Sequence, residues 1–266
     1  MHKIDTTQMS PFTIHELKIF APARVNGRDT LAQLDTAATF ATVSPTVADG
    51  LTREGKVTVR SAFGDRDFEM VSVDIEFIGL TLSKVRARVH KDDGVLPFEA
   101  DIVLSGQELF GQGVIYDFRL LGCLPCNKIE GTGWEEVTAE FLENGLCIIE
   151  MEAGGKAVNA LFDTGAGISV INSARIKEND LQTKAGYKMV VRDATGVQHM
   201  QVIHSYSGLR MGEIEIPPFD GIAVNLSKVE EAVQRRIDLV FGANAMLKSG
   251  LRWWFHKQEG EVFVLA

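Results

Sequence analysis

Two stretches of the chain repeat one alternation of apolar and polar positions. Val25-Asn26-Gly27-Arg28 leads into Ala32-Gln33-Leu34-Asp35-Thr36-Ala37-Ala38, and Ala153-Gly154-Gly155-Lys156 leads into Ala160-Leu161-Phe162-Asp163-Thr164-Gly165-Ala166. In each, a tight-turn pair precedes the aspartate by nine and eight residues. Asn-Gly and Gly-Gly supply the positive φ angles that a two-residue hairpin turn needs, so each stretch predicts a hairpin whose second strand ends at Asp-Thr. Nine residues past each aspartate comes a helix-start residue, Ser44 before Pro45 and Asn172 before Ser173. Residues 59–64 and 191–196 then read as extended segments meeting a glycine at a hairpin tip. Residues 101–105 and 238–242 read as short apolar strands running into short helices that Gly111 and Gly250 terminate. The pieces recur in one order with the aspartates 128 residues apart, which points to duplication of one mostly β unit.

Outside the repeat, Ser227 and Glu230 have capping-box spacing ahead of a short amphipathic helix. Trp253-Trp254-Phe255 and residues 261–265 predict a closing hairpin. Composition adds mainly exclusions. At 266 residues and 45% hydrophobic, the chain has material for one or two real cores. A net charge of −9 argues against nucleic-acid or anionic-membrane partners, which want clustered Lys and Arg. No apolar run approaches the ~18 residues of a membrane span. The first twenty residues scatter charge and lack an apolar signal core, so a cytoplasmic protein is expected. Cys123, Cys126 and Cys147 are too few for a disulfide framework. Cys123-Leu124-Pro125-Cys126 has no second CxxC, and His199 and His204 fall on opposite faces of a strand, so no metal or cofactor is expected.

With these residues in hand, the sequence resembles the aspartic protease clan. The resemblance is carried by residues 160–166 with Val240-Phe241-Gly242, and by residues 33–38 with Val103-Leu104-Ser105. It implies a mostly β, pepsin/retropepsin-like fold with short helices, built as two retropepsin-like lobes over 12–115 and 135–266. A connector over 116–134 would join them, with a cleft between the lobes. It further implies an endopeptidase acting on peptide or protein substrates as a monomer, with Asp35 and Asp163 as paired catalytic carboxylates. Thr36 and Thr164 would bond across the junction, and Ala37 and Gly165 would support the two loops. Phe63 and Gly64, and Thr195 and Gly196, would be the flap tips. Two departures fall in the first half: Ala37 and Ser105 stand where the family has glycine. Pepsin-like enzymes carry a hydroxyl three positions after each aspartate, whereas this chain has Ala38 and Ala166 there, as retroviral proteases have alanine, which implies a working range less acidic than pepsin's. Two rivals stay open: a non-catalytic peptide-binding module on the same fold, and a thiol redox or metal-binding protein using Cys123 and Cys126.

Overall fold

A computed structural model of the chain describes residues 8–61, 64–90, 100–111, 113–176, 178, 181–192 and 198–266. It is mostly β with short helices. The first half runs β1 (Ser10–Pro11), β2 (Thr13–His15), β3 (Lys18–Val25), β4 (Arg28–Asp35), β5 (Ala41–Val43) and α1 (Pro45–Ala48). It continues with β6 (Lys56–Ser61), β7 (Gly64–Phe77), β8 (Leu80–Val89), β9 (Ala100–Ser105) and α2 (Gly106–Phe110). A middle stretch supplies β10 (Val114–Asp117), β11 (Gly122–Pro125) and β12 (Glu135–Glu136). The second half runs β13 (Ala139–Phe141), β14 (Cys147–Ala153), β15 (Lys156–Asp163), β16 (Ser169–Asn172), β17 (Gln182–Arg192) and β18 (Gln198–Ser207). Then come β19 (Leu209–Met211), β20 (Ile214–Glu215), β21 (Phe219–Val224), α3 (Ser227–Val233), β22 (Leu239–Gly242) and α4 (Ala243–Ser249). A terminal hairpin, β23 (Arg252–His256) and β24 (Glu261–Leu265), closes the chain.

The local signals explain most of these elements. Asn26 and Gly27 have φ of 50° and 77°, and Gly154 and Gly155 have 57° and 77°. Positive φ at both central residues makes each a turn whose twist matches the flanking strands, and β3–β4 and β14–β15 close on them. The Ser44 side chain accepts from Val47 N–H at 3.2 Å and Pro45 opens α1. Two expected helix starts differ. After Asn172 comes a turn, with Asn172 Oδ1 accepting from Ala174 N–H at 3.2 Å. At α3 the Ser227 side chain makes no cap, and Asn225 Oδ1 takes the Ser227 N–H instead. Glu230 is drawn away, accepting from Arg175 Nε and Ile237 N–H at 3.0 Å each.

The strands form three sheets. An eight-stranded sheet has the order β2-β3-β4-β9-β5-β8-β7-β6, and an additional β3–β7 pairing closes it on itself. A ten-stranded sheet has the order β17-β18-β21-β16-β22-β15-β14-β19-β20, with β13 on β14. From β3 and from β14, seven strands follow one pairing order: β3-β4-β9-β5-β8-β7-β6 against β14-β15-β22-β16-β21-β18-β17. The third sheet, β1-β11-β10-β23-β24-β12, draws strands from the start, middle and end of the chain. Residues 116–134, expected as a plain connector, therefore contribute the end of β10 and all of β11. A buried aromatic cluster joins the sheets: Phe110 lies 4.6 Å from Phe255 between ring centres, and Phe162 lies 4.8 Å from Phe255 and 5.1 Å from Trp253.

Candidate active site

Each aspartate ends a strand that lies parallel to a neighbour, Asp35 beside Ser105 and Asp163 beside Gly242. The two Asp-Thr loops meet at buried threonines. Thr36 N–H donates to Thr164 Oγ1 at 3.1 Å, and Thr164 N–H donates to Thr36 Oγ1 at 3.0 Å. Each hydroxyl then donates to the opposite strand, Thr36 Oγ1 to Phe162 O at 2.7 Å and Thr164 Oγ1 to Leu34 O at 2.8 Å. Every polar group of this buried lattice is satisfied, so it fixes the two loops head to head.

The carboxyls are held by loop amides. Asp163 Oδ1 accepts from Gly165 and Ala166 N–H at 2.8 and 3.0 Å, and Asp35 Oδ1 accepts from Ala37 N–H at 3.2 Å. Gly165 faces the Asp35 carboxyl so closely that a Cβ there would lie 2.5 Å from both its oxygens. Glycine is required for contact, since its own φ is not positive. The methyl of Ala37 packs instead against the apolar group containing Leu146 and Leu161.

Residues 149–245 match a family model described as aspartyl protease. The matched span carries Asp163, Thr164, Gly165 and Gly242, and ends far from Asp35 in sequence. No curated protein matches the chain significantly.

Burial raises both carboxyls, although each aspartate is only half-buried by surface and keeps one side toward solvent. Asp163 is pushed up to about 7, first by burial and then by the charge of Asp35. Asp35 is raised by burial, with Arg88 and then Lys18 opposing the rise. The side-chain hydroxyls that would pull the pair down are absent at Ala38 and Ala166.

Gln33 and Asp35 share one face of β4. The strand registers align Phe20, Gln33, Val103, Thr42, Arg88 and Met70 in a single row across that face. The matching row beside Asp163 is Ile148, Leu161, Val240, Val170, Ile222 and Ile203, apolar throughout. Sequence reading missed Lys18, Gln33, Thr42 and Arg88. Gln33 was in reach as the second residue before Asp35, whereas Arg88 joins the row only through the parallel β5–β8 pairing, which leaves no local signal.

Of the expected flap residues, Phe63, Thr195 and Gly196 lie outside the described residues. Gly64 opens β7, and its backbone pairs with Ser61. Pockets of about 200 and 240 Å³ lie near Arg235 and Met211, and neither is lined by Asp35 or Asp163. Among the described residues, no three His, Cys, Asp or Glu side chains gather as metal donors, and no helix is long and apolar enough to cross a membrane.

Proposed function

We propose that the chain is an aspartic endopeptidase with Asp35 and Asp163 as its catalytic pair, built from two retropepsin-like lobes over 12–115 and 135–266 with a cleft between them. The observation that carries this reading is the reciprocal Thr36–Thr164 bonding, which holds two Asp-Thr loops head to head with the Asp35 carboxyl against Gly165. The aspartyl protease match over residues 149–245 and the shared seven-strand order support it.

Peptide hydrolysis without a covalent intermediate needs one group to deprotonate water and another to protonate the carbonyl oxygen. Two adjacent carboxyls sharing a proton supply both, with apparent pKa values that belong to the pair. The environments of the two are unequal. Asp35 faces the Arg88 cation, which favours its ionised form, and Asp163 faces the negative charge of Asp35. The pair thus holds one proton between two carboxyls: the protonated carboxyl polarises the carbonyl, and the ionised one takes the proton from the attacking water. The tetrahedral intermediate collapses as a proton passes to the leaving nitrogen.

Ala37 and Ser105, which motivated the inactive reading, have local partners. Ala37 packs on the apolar group beside Leu146, and Ser105 caps α2 in a box with Glu108. The thiol reading is weakened by burial, which raises both the Cys123 and Cys126 thiols, opposite to what thiolate chemistry requires. Cleavage of a random peptide library tests the proposal. Turnover blocked by a statine-type inhibitor supports it, and turnover indifferent to that inhibitor contradicts it.

A further inference from the structure

Three positions set the row beside Asp35 apart from the row beside Asp163. Gln33, Thr42 and Arg88 stand where the second half has Leu161, Val170 and Ile222. One strand over, Lys18 and Phe20 share one face of β3, and the residues at the matching positions are Leu146, immediately before β14, and Ile148 within it. Both cations thus fall on one side of the aspartate pair, and their counterparts are apolar.

Arg88 is anchored but not saturated. Its Nε donates to Thr42 Oγ1 at 2.6 Å, and its guanidinium carbon lies 4.8 Å over the Phe68 ring. These two contacts orient the guanidinium plane. Both terminal amino groups donate to no described residue, and no described carboxylate forms an ion pair with Arg88. A half-buried guanidinium with an unused, oriented fork fits a carboxylate in bidentate geometry. Burial works against the charge of Arg88 and Asp35 favours it, so a further carboxylate brought beside the guanidinium would add to that favour. In a chain of net charge −9, Arg88 and Lys18 set positive charge beside the aspartate pair.

We infer that Arg88, held by Thr42, is a specificity-determining residue that receives a substrate carboxylate on the Asp35 side of the scissile bond, while the Leu161–Val170–Ile222 wall receives an apolar side chain on the other. The inference rests on the protease reading for the identity of the ligand as a peptide. The carboxylate comes from a Glu or Asp side chain or from the free end of the peptide.

The test uses peptide sets matched in pairs, Glu against Gln within the chain and free acid against amide at its end. Cleavage is measured on these peptides, and binding on reduced-bond versions that cannot be cut. The expected result is a preference of about 10- to 100-fold for the carboxylate member of one pair, the worth of a charge-assisted hydrogen bond. Which pair shows it identifies the source. Arg88→Gln abolishes the preference and Arg88→Glu turns it toward Lys, with thermal unfolding checking that both variants fold. Thr42→Val, which removes only the anchor, weakens it several-fold.

Cleavage or binding without any carboxylate preference overturns the inference, as does a preference that survives in Arg88→Gln. If no peptide is cut but the Arg88-dependent preference appears in binding, the inference stands and the hydrolytic reading falls. If peptides are cut without preference, the reverse holds.

Discussion

The two Asp-Thr loops keep their essential glycine in different places. Beside Asp163 the strand–helix junction is Gly242-Ala243, and a Cβ on Gly242 would lie 2.7 Å from Ala166 O. Beside Asp35 the junction is Ser105-Gly106, and there a Cβ on Gly106 would lie 2.6 Å from Thr36 O and collide with Gly145 O. The loop opens accordingly: Ala243 N–H reaches Ala166 O at 2.8 Å, whereas Gly106 N–H reaches Ala38 O only at 3.4 Å. Helix capping shifts with it. Ser105 accepts from Gln107 N–H and pairs with Glu108, while Gly242 has no side chain to offer and its N–H donates to Ser169 Oγ at 3.1 Å. One backbone plan is thus met by two side-chain solutions, and a missing motif glycine need not mean a collapsed half.

The sharpest way to break this comparison is to exchange the loop residues themselves. Gly165→Ala drives a methyl into the Asp35 carboxyl, so peptide hydrolysis should fall by about 100-fold or more. Ala37→Gly should change kcat/KM by less than about 3-fold, because only a methyl against an apolar group is lost. Equal losses in the two variants would mean that the halves are equivalent after all.

The threonine lattice is the symmetric part and should behave so. Thr36→Val and Thr164→Val each strand a buried N–H and a buried carbonyl, costing about 2–4 kcal/mol in urea unfolding. The double variant should cost less than the two losses added, since they share one network.

Stability against pH separates the carboxyls next. Asp163 is raised from 3.8 to about 7, so the folded state binds its proton more tightly than the unfolded chain. Its contribution is full below pH 3.8 and is lost as pH rises through about 7. Asp163→Asn should therefore stabilise the protein by about 2 kcal/mol at pH 8, with the gain vanishing near pH 4. The smallest effect expected is Ser105→Ala, about 1 kcal/mol from a lost cap, and thermal unfolding reads it.

Sequence carried the parts of this picture that depend on near neighbours. Asn26-Gly27 and Gly154-Gly155 encode their turns in the positive φ they adopt, and Ser105 with Glu108 encodes a box three residues long. Ser227 with Glu230 has the same spacing and fails, because Arg175 and Ile237 compete for Glu230 from far along the chain. Long-range pairing explains the other gaps. Nothing local in Cys123 or Tyr116 says that β11 and β10 join the strand of Trp253. Likewise Arg88 faces the site only because β8 lies parallel to β5.

The central claim is that two unequal halves supply one chemical pair. Its most direct test is kcat for a cleaved peptide in Asp35→Asn and Asp163→Asn, measured side by side with binding of an uncleavable analogue. The expected result is a loss of about 100- to 10,000-fold in each, with binding retained and the double variant little worse than either. An Asp35→Asn variant that keeps most of its activity while Asp163→Asn loses it would contradict the pair and leave Asp163 acting without Asp35.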